Sequence, residues 1–550
     1  MLLLLPASAL GAVTLDQFTV TPSSTQAGGH PDVTIFQHVS PSSADDDVKD
    51  TFVRLAPGLL GNPQNAALCT REQFRSEAGC AAAAKVGTVH VTATVHLAPP
   101  LATLTDQPIE GTVYNLKPLG GEPARLGLKL QPIALPPPLP QGAPPVYLES
   151  PVYLKPGADG IGLESVFSDQ PREQSGLNIQ ITSVQLTFLG KASRGSFMRM
   201  PTSCAPATSL GRVNSYDAPT LFSEKTSVFT PTGCDSLGFA PTAEGSLGAA
   251  DATKKGSFPP VSTTLKFDPE EAALKSAEVT LPKALQPSVA VLGRACTRAQ
   301  ADATACPDSS RVGTAIIESP LQASPVAGPV YIAFNTPAAL PGLMVVLPPP
   351  VDLRIDGVIQ STAAGLRNVF ASNPDLPLSS FTLQFGGGPT GPLQLAFDLC
   401  APSTPTKMSV KLTSHSGKTR AFKQELATPG CDPLATVKVS KDRRGFTLAA
   451  VLTAARRGPD MTRARLSLPK GLRPGRTAPR VVIDGKRVKF RRVPKAINQK
   501  LSKGARRVKI VWKGLKGAKG KKVARTLVVP VKMTDERGKT TSLRLRVKRG

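Results

Sequence analysis

A chain of 550 residues with 54 Pro, 47 Gly, 40% hydrophobic and 5% aromatic residues is too long for one core and divides into several domains. That hydrophobic content excludes a disordered chain, and no run after the first residues approaches the ~20 apolar residues of a helical membrane span. The net charge of +27 averages unlike parts: residues 435–550 hold 36 Lys/Arg against 5 Asp/Glu, whereas residues 1–434 hold 30 against 34.

Residues 1–12, from Met1-Leu2-Leu3-Leu4-Leu5 to Ala12, read as the end of a secretory signal peptide, with small residues at Ala7/Ala9 or Ala9/Gly11 suited to a signal peptidase. The basic segment that opens such peptides is missing, so the start reads as truncated. An exported chain without a second apolar run is expected in the extracellular space or associated with the cell envelope.

From residue 13 the sequence reads as a duplication. Leu55-Ala56-Pro57-Gly58-Leu59, Cys69-Thr70, Cys80 and Lys85-Val86-Gly87-Thr88 return as Leu281-Pro282-Lys283-Ala284-Leu285, Cys296-Thr297, Cys306 and Arg311-Val312-Gly313-Thr314. The order holds further on: Phe18 with Phe239, Val113-Tyr114 with Val330-Tyr331, Leu135-Pro136-Pro137-Pro138 with Leu347-Pro348-Pro349-Pro350, Val166-Phe167 with Val369-Phe370, and Leu186-Thr187-Phe188 with Leu383-Gln384-Phe385. A period this long means whole domains in tandem. Alternation as in Val89-His90-Val91-Thr92-Ala93-Thr94-Val95 places apolar side chains on one strand face, and frequent turn residues then favour antiparallel sandwiches. Brief helical turns are expected at Gln64 to Ala67 and at Ala81 to Ala84.

The fold class expected is therefore all-β, with two tandem homologous disulfide-containing β-sandwich modules over 13–245 and 246–434. A basic β-sandwich-like domain follows over 435–550. The Gly, Ala, Ser, Thr and Lys residues between Gly245 and Pro260 read as a flexible connection. In the third part Leu468-Pro469-Lys470-Gly471-Leu472 repeats the Leu-Pro corner, but no cysteine follows.

All eight cysteines fall within the duplication: Cys69, Cys80, Cys204 and Cys234, then Cys296, Cys306, Cys400 and Cys431. Four cysteines allow three pairings. The local spacings are kept while the middle span changes, which favours Cys69–Cys80, Cys204–Cys234, Cys296–Cys306 and Cys400–Cys431. Zinc would require pairs two to four residues apart, so no metal or other cofactor is expected.

No pattern points to an enzyme. There is no Gly-x-Ser-x-Gly elbow, and Gly386-Gly387-Gly388-Pro389-Thr390-Gly391 lacks the Lys-Ser/Thr of a phosphate loop. His30 with His38 and Asp45-Asp46-Asp47 could assemble a metal site, but module two has Ser257-Phe258 where module one has His30, so a structural role is expected. The candidate binding surface is the basic tail: Lys486, Arg487, Lys489, Arg491, Arg492, Lys513, Lys516, Lys519, Lys521 and Lys522. Such clusters suit anionic envelope polymers. With Phe446, Phe490 and Trp512 as the few aromatic platforms, specific nucleic-acid reading is not expected.

Gly29-His30-Pro31-Asp32, the Leu-Pro corner with its cysteines and Val-Gly-Thr, Val113-Tyr114-Asn115-Leu116, and Phe385-Gly386-Gly387 before Leu399-Cys400 resemble a family of uncharacterised exported β-rich repeat proteins of high-GC actinobacteria. The resemblance spans about residues 18–433 and implies no established activity. The function read from the sequence is thus a non-catalytic exported or cell-envelope protein, structural or adhesive. A carbohydrate-binding protein or hydrolase with a site built from distant residues is the alternative.

Overall fold

The computed structural model describes residues 13–548 apart from 44–45, 98–102, 132–143, 158, 175, 250–251, 336–339, 402–403, 429–432, 444, 456–459, 489–495, 502–503, 519–522, 537 and 539. The expected signal segment and the first Pro triplet lie outside the described residues. The fold is all-β with disulfide-containing sandwich modules. No helix among the described residues is long and apolar enough to cross a membrane.

Module one runs through β1 (Thr14–Pro22), β2 (Val33–Ser40), β3 (Val48–Arg54), β4 (Lys85–His96), β5 (Leu104–Leu116), β6 (Ala124–Leu130), β7 (Val146–Gly157), β8 (Gly160–Phe167), β9 (Leu177–Phe188), β10 (Ala207–Ser215) and β11 (Ser223–Phe229). These pair in the order β1-β2-β9-β4-β5-β6-β7-β8-β3-β10-β11. Period-two patterning drives the curl: Val33, Ile35 and Val39 of β2 and Val89, Val91 and Ala93 of β4 are all buried in one core, so the sheet must fold over its apolar face. Its two edges meet through hydroxyls, since Ser223 Oγ accepts from the Leu15 amide and Ser227 Oγ from the Val20 amide, both at 2.9 Å. That closure covers edges which would otherwise template another strand.

Module two repeats this with β12 (Thr242–Leu247), β13 (Val261–Lys266), β14 (Leu274–Thr280), β15 (Arg311–Glu318), β16 (Val326–Ala333), β17 (Gly342–Leu347), β18 (Leu353–Thr362), β19 (Gly365–Phe370), β20 (Ser380–Phe385), β21 (Lys407–Ser414) and β22 (Thr419–Glu425). The order β12-β13-β20-β15-β16-β17-β18-β19-β14-β21-β22 is that of module one, strand for strand. The second sheet, however, starts before residue 246. Thr242–Leu247 pairs along its whole length with Val261–Lys266, so the expected boundary cuts through a strand, and the Gly245–Pro260 stretch, read as the connection into module two, ends that strand and then runs between two strands of the module itself. The register also corrects the sequence match. Phe18 pairs with Gln37 and Ala243 with Leu265, while Val33 and Val261 both face the Phe that ends the equivalent strand, Phe188 and Phe385. Phe18 therefore corresponds to Ala243, four residues beyond the Phe239 that similarity of residue type suggested.

The third part is a shortened copy. Its strands are β23 (Leu434–Asp442), β24 (Gly445–Thr453), β25 (Met461–Ser467), β26 (Arg480–Ile483), β27 (Lys486–Val488), β28 (Ala496–Lys500), β29 (Arg507–Gly517), β30 (Thr526–Asp535) and β31 (Thr540–Lys548). They pair as β23-β24-β29-β26-β27 and β28-β25-β30-β31, which is the module order with the equivalents of β6 and β7 missing. Without those two strands the continuous sheet separates into two, packed over a core that includes Leu448, Leu466, Trp512 and Val529.

The Leu-Pro corner recurs in all three copies as a turn closed by the same hydrogen bond, left-handed at its third residue in the first and third copies and not at Ala284 in the second. Leu59, Leu285 and Leu472 each donate an amide to the carbonyl three residues before, on Ala56, Pro282 and Pro469. Gly58 and Gly471 hold φ of 85° and 96° there, the left-handed third position of a type II turn. The chain leaving it forms a short pair each time: Leu60–Gly61 with the short strand Met198–Arg199, Leu285–Pro287 with the short strand Leu393–Leu395, and Leu472–Arg473 with the end of β29 at Lys516–Gly517.

Three disulfides close as expected, Cys69–Cys80, Cys204–Cys234 and Cys296–Cys306. Cys400 is disulfide-bonded too, and Cys431, its expected partner, lies outside the described residues. The helical turns differ from expectation in one respect. Pro63–Asn65 and Ala82–Ala84 form 3-10 turns, but the cysteine loop also holds a short α-helix, Arg71–Arg75, started by a capping box between Thr70 and Gln73. Module two repeats it with Thr297 and Gln300. Reciprocal capping satisfies amides that a helix start leaves free, so Cys-Thr-x-x-Gln encodes both the staple and the helix.

Modules one and two are joined by a buried polar seam. The Thr202 amide and hydroxyl each donate to a different carboxylate oxygen of Asp375 at 2.7 Å, and the Ala273 amide donates to Thr202 Oγ1 at 3.1 Å. Beside them Arg199 donates to the Glu271 carbonyl at 2.8 Å. Burial pushes its guanidinium below its usual value, opposed by Asp375 and Glu270.

The interior of module two is incompletely filled. A cavity of about 220 Å³ lies between the two halves of its sheet, against about 100 Å³ in module one. The register gives one contribution at the wall: Thr263, which borders the larger cavity, stands where module one has the bulkier Ile35. At the cost measured for cavities left by core truncation, a void of this size forgoes on the order of 5 kcal/mol.

Candidate functional site

A catalytic reading needs titratable groups free to act, and the buried carboxylates of module one are held. Glu149 accepts hydrogen bonds from Arg71, Arg75 and Arg125 at 2.8, 2.8 and 3.1 Å. Burial alone would raise its carboxyl, but the bonds from Arg71 and Arg75 outweigh it and leave the group below the usual carboxylate range. Glu122 is lowered in the same way, burial opposed by Arg125 and the Leu119 amide. Asp47 is raised, because its desolvation exceeds what the hydrogen bond from Arg172 returns.

The histidines are likewise occupied. His30 places Nδ1 2.7 Å from the Met198 carbonyl and Nε2 3.1 Å from Glu270 across the seam, so it ties the modules together. His38 lies 3.3 Å from Asp16, not beside His30. His90 faces Glu110 and His96 faces Gln180. Among the described residues no group of three His, Cys, Asp or Glu could hold a metal ion.

The third domain presents a different surface. Strand alternation sends every second side chain outward, and in β28, β25, β30 and β31 every described charge at an outward position is cationic, among neutral neighbours. Lys500 pairs with Arg463, Arg465 with Lys532, and Arg544 and Arg546 follow along β31. All six are exposed. On the other sheet Arg507, Lys509, Lys513 and Lys516 point outward from β29 between the buried Val508, Ile510, Trp512 and Leu515. Lys509 pairs with Val482, which pairs with Arg487, and Val511 pairs with Arg480. Alternation carries Lys513 to the same face as Lys509, and a bulge between Trp512 and Leu515, opposite Leu448 and Phe446, then turns Leu515 inward and Lys516 outward.

The carboxylates whose side chains are described in this domain sit at its margins. Asp484 occupies the β26–β27 turn and accepts the Arg506 and Arg507 amides. Asp460 pairs with Arg506 at 3.0 Å, and Asp535 and Glu536 stand at and just past the end of β30. Neither outer face holds a described carboxylate, so each is a field of one sign that concentrates polyanions.

Of the residues singled out from the sequence, Lys486, Arg487, Lys513 and Lys516 belong to the β23-β24-β29-β26-β27 sheet. Lys489, Arg491, Arg492, Lys519, Lys521 and Lys522 lie outside the described residues. The face built by Arg463, Arg465, Lys500 and Lys532 was missed. Its cations alternate with apolar residues and so never form a run; Lys/Arg recurring at every second position of a strand is the signal that finds it.

No family model matches the chain, and no curated protein does. Among solved structures, the Enterococcus faecalis adhesin ACE, described as binding its ligands by a collagen hug, is 11% identical over 56% of this chain and 93% of its own, with a TM-score of 0.17. A form of the Bacillus cereus major pilin subunit BcpA is 10% identical over 74% and 90%, with a TM-score of 0.17. A DUF4785 family protein from Legionella pneumophila is 10% identical over 98% and 91%, with a TM-score of 0.14. Scores this low transfer neither a shared fold nor a function.

Proposed function

We propose that this is a non-catalytic protein of the extracellular space or cell envelope, in which the two large modules form a welded spacer and the third domain binds anionic envelope polymers. The observation that carries the reading is the pair of outer sheet faces in the third domain, both rich in Lys and Arg and free of described carboxylates. Disulfides in both modules fit an oxidising compartment. Membership of the exported actinobacterial repeat family is part of the same proposal. Against the hydrolase reading, the larger cavity is bordered by no carboxylate, and in module one Asp47, Glu122 and Glu149 are engaged by arginines while Asp50 is bonded by Lys49 and Asn214.

Opposed faces of a sandwich can each take a polymer strand, so each should contribute to affinity. Replacing Arg463, Arg465 and Lys532 by Gln is expected to weaken binding to long-chain polyphosphate about tenfold or more, and to flatten its dependence on salt. Replacing Arg487, Lys509 and Lys513 by Gln should do the same. These are exposed sites, so circular dichroism should be unchanged. Full affinity retained by both triple variants would sink the assignment.

A further inference from the structure

The unfilled interior of module two has the character of a binding site. Its walls are Leu265, Leu274, Val312, Ile332, Leu343 and Leu383 from six strands of one curled sheet. Leu340 borders the cavity and is 45% exposed, so the space reaches solvent beside it. Leu154 of module one together with Leu321 and Gln322 borders both this cavity and the smaller one in module one, so part of its wall lies on the line where the modules meet.

We propose that this cavity binds a single aliphatic chain, taken up end-on from a lipid or a free fatty acid. Three observations carry it. The space exceeds the ~150 Å³ of an engineered cavity that stays dry and admits an apolar ligand. The one charged side chain at its wall, Arg367, is already engaged by Gln360 at 2.9 Å and by Glu278 at 3.4 Å, so no charge inside awaits a headgroup. Module one, with the same topology and a smaller cavity, has the bulkier Ile35 where module two has Thr263, and each borders its own module's cavity. The apolar walls therefore recognise hydrocarbon, and the polar end of the ligand stays at the mouth.

The test uses the full chain. Decanol and decanoate should both bind saturably at one site, with affinities within a few fold of each other, and raise the melting temperature. Thr263→Phe, which fills the space, should lower both affinities at least tenfold. A photoreactive diazirine fatty acid on the unaltered chain gives an independent reading, with label expected in peptides from β13 to β20. Binding of a single-chain lysophospholipid as well would identify membrane lipid as the source; binding of decanoate alone would identify free fatty acid. Absence of saturable binding, undiminished binding by a folded Thr263→Phe chain, or label outside both module two and the Val146–Gly157 strand that carries Leu154 would overturn the proposal. None of these readouts depends on the basic domain.

Discussion

Replacing Trp512 by Ala is expected to cost about 3–5 kcal/mol and to unfold the third domain while leaving the first two intact. Trp512 is the single Trp of the chain and is fully buried. It fills the space between the sheets, and its indole N–H donates to the Thr477 carbonyl at 3.2 Å, so truncation creates a cavity and strands an acceptor together. The domain has no disulfide to hold it, because all eight cysteines precede residue 434. A domain of ordinary stability, about 5–15 kcal/mol, loses a large share of its margin. Hydrogen exchange should show lost protection through 507–517 and retained protection through 85–96 and 311–318. Equal loss in all three segments would show that the third domain is not an independent unit.

The second large effect lies at the seam. Asp375→Ala removes the acceptor for two buried donors of Thr202, and each unsatisfied buried donor costs about 1–3 kcal/mol. It also removes a carboxylate that favours the charged form of the buried Arg199. The destabilisation falls on the joint, not on either core. Calorimetry should therefore resolve separate transitions for modules one and two where the unaltered chain melts them together. Limited proteolysis should then cut near residues 235–241, between the end of β11 and the start of β12. A single transition at the original temperature would mean that the modules are not coupled through Asp375.

Local pattern carried much of this architecture. Strand alternation fixed the all-β class, and the repeated spacings of the cysteine pairs gave three observed disulfides. What escaped sequence reading depends on contacts between distant residues. Asp375 meets Thr202 from 173 positions away, and nothing local to either marks a joint. The third domain lacks the cysteines and the Val-Tyr pair that advertise the repeat, although β27 stands where the Val-Tyr strand stands in the modules, so its kinship shows only in strand order and in the shared corner turn. Matching Phe18 to Phe239 put the first strand four residues out of register, because an exposed-to-buried pattern constrains a strand better than one residue type does. The cavity was hidden for the same reason, since the change from Ile35 to Thr263 at its wall is visible only once the register is known. The basic surface was half visible: Lys486 and Arg487 form a run, while Arg463 and Arg465 are separated by the buried Ala464.

The central claim is that affinity for anionic polymers resides in the third domain. Binding of long-chain polyphosphate should be compared between the full chain and a chain ending at residue 433, across a salt series. Release of condensed counterions by six or more engaged cations predicts a linear fall of log affinity with log salt, of about a thousandfold between ~50 and ~200 mM. The shortened chain carries a formal charge near −4 and is expected to show no measurable binding. Equal affinity of the two chains, or binding by the full chain that is indifferent to salt, would contradict the account.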